Sequence, residues 1–267
     1  MPSFHLLEKN NTARLTGTYK EDLSGEHAWK SRKPKGMEYQ PTDIEQACHA
    51  LRFSLISKLD GTQLNLKDSK CLPFEQGLTL GAARNTLEKI LLWKNGIGPA
   101  GIREIAKPLA SLPRLYELNL SRNRLKDEGS HLLCRQLSLG VSAANLHTLW
   151  LSDNNIHTFP PDLLKLAGLR RLFLSVNQIK VVPSELGRLE NLKHVDLDHN
   201  PTQGLPEDAY YVGSRRLPGP RWELLRGYLR RQLGLDMPEE DDDAKNSQRD
   251  TSLLTRVPSI ADKIPAE

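Results

Sequence analysis

A chain of 267 residues, 38% apolar and 26% charged, holds ample material for a folded core. Three cysteines (Cys48, Cys71 and Cys134) fit no metal or redox spacing, and an odd count without cysteine-rich flanks points to reduced thiols in the cytosol. No apolar run approaches a membrane span and Met1–Asn10 lacks the apolar core of a secretory signal, so spanning and secreted classes are not expected; the net charge of +4 is spread unevenly.

Residues 1–41 are expected to form a flexible arm. Residues 1–40 hold seven Lys or Arg and five Asp or Glu, with no aliphatic periodicity. Thr42-Asp43-Ile44-Glu45 has the pattern of a capping box. Ile44, Ala47, Leu51 and Leu55 follow at helical spacing, which predicts an amphipathic helix over about 42–58, within a capping segment 42–60.

From about 61 to 212 one motif recurs: Leu-x-x-Leu-x-Leu-x-x-Asn-x-Leu. The cleanest copies are Leu115, Leu118, Leu120, Asn123, Leu125, then Leu146, Leu149, Leu151, Asn154, Ile156, then Leu169, Leu172, Leu174, Asn177, Ile179. An earlier copy reads Leu87, Ile90, Leu92, Asn95, Ile97, and a later one Leu192, Val195, Leu197, Asn200 with Thr202 closing it. A degraded first copy reads Leu64, Leu66, Ser69, Cys71. Starts near 61, 87, 115, 146, 169 and 192 give about six repeats, the sequence mark of a solenoid. Leu-x-Leu is a short strand with one buried face, and stacking neighbours must cover it. The Asn side chain both donates and accepts, so Asn95, Asn123, Asn154, Asn177 and Asn200 are expected to satisfy buried backbone groups as a structural ladder.

These copies resemble the leucine-rich repeat family over residues 61–212. The resemblance implies an α/β solenoid, a horseshoe with a parallel sheet on its concave side and helical caps at both ends. Six residues after Asn95 and Asn123 stand Gly101 and Gly129, opening helical patterns over Gly101–Leu112 and Asp127–Leu137. This half resembles ribonuclease-inhibitor-like repeats. Six residues after Asn154, Asn177 and Asn200 stand Pro160, Pro183 and Pro206, where the back of the repeat should be extended or a short helix. This half resembles the short 23-residue repeats of intracellular leucine-rich repeat proteins. Gly140–Asn145 is surplus and reads as a surface loop. Gly96-Ile97-Gly98-Pro99-Ala100-Gly101 lies in a repeat turn and reads as structural rather than as a phosphate loop.

Beyond the repeats, Trp222, Leu225, Leu229 and Leu233 share one helical face, so 213–235 is expected to be a C-terminal cap. It is strongly basic, with six Arg and one Glu in 213–233. Residues 236–267, including the run Glu239–Asp243, are expected to be an acidic disordered tail.

On a repeat of this family, side chains between the buried leucines face the concave surface. The resemblance therefore places Leu91, Trp93, Tyr116, Trp150 and Phe173 there, flanked by Arg170, Arg171, Lys193 and Asp196. A cluster of large apolar groups on a solvated sheet face points to a partner. Trp150 and Phe173, on adjacent strands, are the expected anchor. The competing reading has the arm, with Trp29 and Tyr39, covering them. Asn65 and Lys67 should occupy the same slots in the first copy. Asp196, Asp198, His194 and His199 lie close together, but no nucleophile or further ligand stands at a telling spacing. The expected function is a non-enzymatic scaffold or adaptor that binds a protein as a cytoplasmic monomer, without cofactor, metal, nucleic acid or integral membrane association. The alternatives are a regulator or activator of a GTPase or phosphatase, or membrane-surface or calmodulin binding through Arg215–Leu233.

Overall fold

The computed structural model describes residues 37–205 and 221–235; the expectations for the flexible arm before residue 37, for 206–220 and for the acidic tail after 235 lie outside the described residues. Seven strands form one parallel sheet in sequence order. They are β1 (Met37–Tyr39), β2 (Ile56–Asp60), β3 (Lys89–Leu91), β4 (Glu117–Asn119), β5 (Thr148–Trp150), β6 (Arg171–Phe173) and β7 (His194–Asp196). Register keeps Leu59, Ile90, Leu118, Leu149, Leu172 and Val195 in one line across the sheet. The first five of these are fully buried, and each contributes roughly 1.5–3 kcal/mol relative to exposure. The chain is an α/β leucine-rich repeat solenoid.

The backs of the repeats change style along the chain. Helices α2 (Cys71–Leu80), α3 (Pro99–Ala110) and α4 (Lys126–Leu139) back the early repeats. Single 3-10 turns, Pro161–Lys165 and Ser184–Arg188, back the later ones. Pro160 and Pro183 precede these turns at φ near −66° and −69°, where the ring holds the chain extended and withholds a donor. Helix α3 begins at Pro99, two residues earlier than Gly101, because proline at the first helical position has no N–H to leave unpaired. Residues Val141–Ala144 form a further 3-10 turn that buries Ser142 while Val141, Ala144 and Asn145 stay exposed, so the surplus after α4 lies at the surface as an ordered turn.

The N-terminal end corrects the sequence reading. Helix α1 covers only Ile44–Phe53, and β2 lies inside the stretch 42–60 expected to be cap. The first repeat therefore runs Ile56, Leu59, Gly61, Leu64, Leu66 rather than starting near 61. Gly61 fills a leucine slot because a Cβ there would come within 3.1 Å of Leu64 and Leu92 methyl groups. Leu64 stands in the asparagine slot. Asn65 and Lys67 consequently leave the strand for the turn, at φ of 55° and 45°, and Asp60 and Thr62 take their expected slots. The cap of α1 is also shifted by one residue: the Asp43 side chain accepts from Gln46 N–H at 2.9 Å, and Gln46 Oε1 accepts from Thr42 N–H. Residues 37–39 of the expected flexible arm form β1, where Glu38 pairs with Lys58 and Tyr39 packs on the core.

At the other end α5 (Arg221–Gln232) lies on the turn Ser184–Arg188. Trp222, Leu225 and Leu229 are buried, and Trp222 Nε1 donates to the Leu192 carbonyl at 2.6 Å.

The five asparagines are buried side by side along the turns. Asn154 is representative. Its Nδ2 donates to the carbonyls of Leu120 and Leu151, at 2.9 and 3.1 Å, while Asn177 Oδ1 accepts from the Asn154 and Ile156 amides. Asn123 Oδ1 serves Asn95 and Ile97 in the same way, and Asn200 Oδ1 serves Ile179. Each amide thus joins one repeat to the one before it, where unpaired backbone groups would cost about 1–3 kcal/mol each.

Candidate partner-binding face

Residues on either side of each strand's buried centre lie on the open face of the sheet. Trp150 and Phe173 are opposite one another in the β5–β6 register. Their rings stack at 3.5 Å between centroids and 4° between planes. His194, on β7, tilts against Phe173 at 5.0 Å. Tyr39 is four strands away in β1 and packs on the core, so it does not cover this stack; Trp29 lies outside the described residues. Trp150 Nε1 is shielded from solvent and has no hydrogen-bond partner among the described residues.

The other apolar residues of the face do not join the stack. Asn119 lies between Leu91 and Trp150 in the same row, and its Oδ1 accepts from Ser121 N–H. Trp93 is flanked by cations, with Lys94 at 5.7 Å and Arg122 at 5.2 Å from its ring centroid. Tyr116 neighbours His147, with ring centroids 6.4 Å apart, and lies under Lys89 at 5.2 Å. The large apolar groups thus form two islands, Leu91 with Trp93 and Trp150 with Phe173, because polar Asn119 and Ser121 occupy the strand between them.

Charge is distributed unequally over the same face. In the early repeats it is paired: Lys89 with Glu117 at 3.0 Å, and Arg122 with Asp153 at 3.6 Å. The bond to Glu117 holds the Lys89 ammonium above its ordinary pKa. Around the stack, Arg170, Arg171 and Lys193 are exposed. Arg171 Nε donates to the buried Thr148 hydroxyl at 3.1 Å, which fixes the guanidinium beside the rings. Arg170 and Lys193 precede β6 and β7 by one residue and stand at the sheet margin. Burial, followed by the charges of Arg170 and Arg171, pushes the His147 pKa below its usual value. Asp196 is half-buried, opposite Phe173, and accepts from the Asp198 amide at 3.1 Å. Among the described residues no group of three His, Cys, Asp or Glu converges as a metal ligand set, His194, Asp196, Asp198 and His199 included.

Two aspartates to which the sequence assigned no bonding role hold neighbouring repeats together. Asp68 Oδ1 accepts from the Gly98 and Gly101 amides at 2.6 and 2.9 Å, which occupies the amides of the glycine-rich turn. Asp127 Oδ1 accepts from His157 and Thr158 at 2.6 and 3.0 Å. The signal was present: Asp68 and Asp127 each follow the last aliphatic of their repeat by two residues, as Leu66-Lys67-Asp68 and Leu125-Lys126-Asp127.

A family model described as leucine rich repeat matches residues 144–201. Over 96 residues the chain is 33% identical to ribonuclease inhibitor from Sus scrofa and 31% identical to that from Mus musculus. Those matches take in 36% of this chain but only 20% of each relative, so the chain spans about a fifth of their length. Among solved structures, a leucine-rich repeat protein from Leptospira interrogans aligns with 65% of this chain and 38% of its own, at 23% identity and a TM-score of 0.44. An internalin from Listeria monocytogenes aligns with 57% of this chain and 36% of its own, at 21% identity and a TM-score of 0.37.

Proposed function

This chain is a leucine-rich repeat protein, and we propose that it works as a scaffold or adaptor that binds a protein partner on the open face of its sheet, with Trp150 and Phe173 as the anchor. The observation that carries this reading is the face-to-face ring pair on a pre-formed sheet, bordered by exposed Arg170, Arg171 and Lys193. Large aromatics and arginine dominate interface energetics, and a rigid sheet loses little ordering entropy on binding. The mechanism is shape complementarity without chemistry. Free thiols at Cys48, Cys71 and Cys134 fit a reducing compartment, and the reading places a monomer in the cytoplasm. A tagged chain recovered in the secretory pathway would contradict that placement.

The basic helix α5 is not the docking element in this reading. Trp222, Leu225 and Leu229 are buried against the last repeats, so the stripe that would enter a membrane surface or a calmodulin-type groove is already in use.

The test is Trp150→Ala with Phe173→Ala in one chain. Both rings are only half-buried, so thermal melting should change little, while partner affinity measured by titration should fall by at least about 2 kcal/mol. Proximity labelling with intact and double-variant chains supplies the partner, and identical labelling by the two would sink the site.

A further inference from the structure

Resting on that concave-face reading, we propose that the partner contributes an acidic peptide segment in which a carboxylate stands next to an apolar side chain. Elsewhere on the face Lys58 is matched with Glu38, Lys89 with Glu117 and Arg122 with Asp153, while Lys94 lies over the Trp93 ring. Beside the ring stack the matching stops. Among the described residues, Arg170, Arg171 and Lys193 have no carboxylate at ion-pair distance, although all three are exposed. Arg171 spends one N–H on Thr148 and keeps the rest of its donor fork. His147 and His194 adjoin the same patch, and the depressed basicity of His147 follows from its burial and from the two arginines. The side of the site where the strands begin is therefore rich in donors and poor in acceptors, and a carboxylate complements it there.

The acids on this part of the face decide between a peptide and a polyanion. Asp196 stands beside Phe173, and Asp153 and Asp198 follow the ends of β5 and β7. Cations thus gather where the strands begin and carboxylates where they end. A nucleic-acid backbone laid across both would meet repulsion at one margin. A peptide with one acid toward the strand starts and an apolar side chain over the rings meets both halves favourably.

The experiment is selection of a phage-displayed library of random peptides of about 12 residues on the immobilised full chain. Enriched peptides should carry Asp or Glu adjacent to a large apolar residue. The best of them, made with a fluorescent label, should lose about tenfold or more in affinity to the Arg170→Glu, Lys193→Glu chain and should weaken as salt is raised. It should also lose affinity to the Trp150→Ala, Phe173→Ala chain. Peptides lost by the ring variant but indifferent to charge reversal and salt would overturn the acidic occupant while sparing the site. Peptides indifferent to both variants would overturn the site itself. Enrichment of basic or neutral sequences, of acidic runs like Glu239–Asp243 with no apolar neighbour, or of nothing at all would overturn the proposal. So would single-stranded RNA of about 20 nucleotides binding more tightly than the best peptide.

Discussion

At the third position after β2 to β7, the backbone turns left-handed each time: Gln63, Lys94, Arg122, Asp153, Val176 and His199 have φ between 54° and 58°. Five of these side chains are unbranched at Cβ in the aliphatic sense and tolerate the bend; Val176 is β-branched, and such a residue at positive φ carries strain of order 1–3 kcal/mol. Val176 is about half exposed, so little packing is lost with its side chain. Val176→Gly is expected to raise stability by about 1 kcal/mol in chemical denaturation, and an unchanged or lower midpoint would contradict the strain argument. Asp127 is a second residue with a measurable signature. Its partial burial works to raise the pKa, but the amides of Thr158 and His157, helped by His157 and His131, outweigh it and hold the carboxylate below the usual range. A depressed folded-state pKa contributes stability that is complete above the ordinary aspartate pKa and is lost as pH falls through the depressed one. Asp127→Asn should therefore cost about 1 kcal/mol or less at neutral pH, discounted for a side chain more than a third exposed, and the gap to the parent should close in acid. A gap that is constant from neutral to acid pH would remove the carboxylate from the account.

Between elements, glycine sets how closely one repeat approaches the next. A Cβ on Gly140 would lie 2.2 Å from the Ala110 carbonyl oxygen at the end of α3. Gly81 and Gly168 meet the Leu51 and Ala144 carbonyls at 2.1 and 2.2 Å in the same way. Backbone φ at Gly140 is ordinary, so the requirement is space alone. Gly140→Ala is expected to destabilise by about 1–3 kcal/mol through forced separation of α3 from the following turn, read as a lower thermal midpoint. None of these glycines belongs to the repeated consensus, and only the stacking explains them. The helix backs themselves were legible, since Ile102, Ile105 and Leu109 keep helical spacing, whereas their starts were not: Pro99 stands where Asp68 of the preceding repeat holds the Gly98 and Gly101 amides, and Lys126 N–H donates to the Asn154 carbonyl of the next repeat.

For the molecule as a whole, the sequence disclosed the stack wherever Leu and Asn occupied their slots, and failed where substitutes stood. Gly61 and Leu64 hid the first repeat, and β1 has no consensus residue at all, because pairing with β2 and the Glu38–Lys58 contact suffice to place it. Trp150 and Phe173 could be placed on adjacent strands from spacing, but their stacking, the orphan indole N–H and the interruption by Asn119 depend on register and rotamer. The change of backing element should show in exchange experiments. Amides in Pro161–Lys165 and Ser184–Arg188, each one short turn, should exchange hydrogen faster than those of α3 and α4, which pack along their length. Equal protection throughout would contradict this. The same change has a geometric consequence. Strands sit about 4.8 Å apart whatever backs them, whereas packed helices need about 8–10 Å, so a helix-backed repeat is a wedge and a 3-10-backed repeat is nearer a slab. The inner wall is therefore expected to curve less along its 3-10-backed repeats, so a short peptide can bridge the aromatic pair and its basic margin without bending.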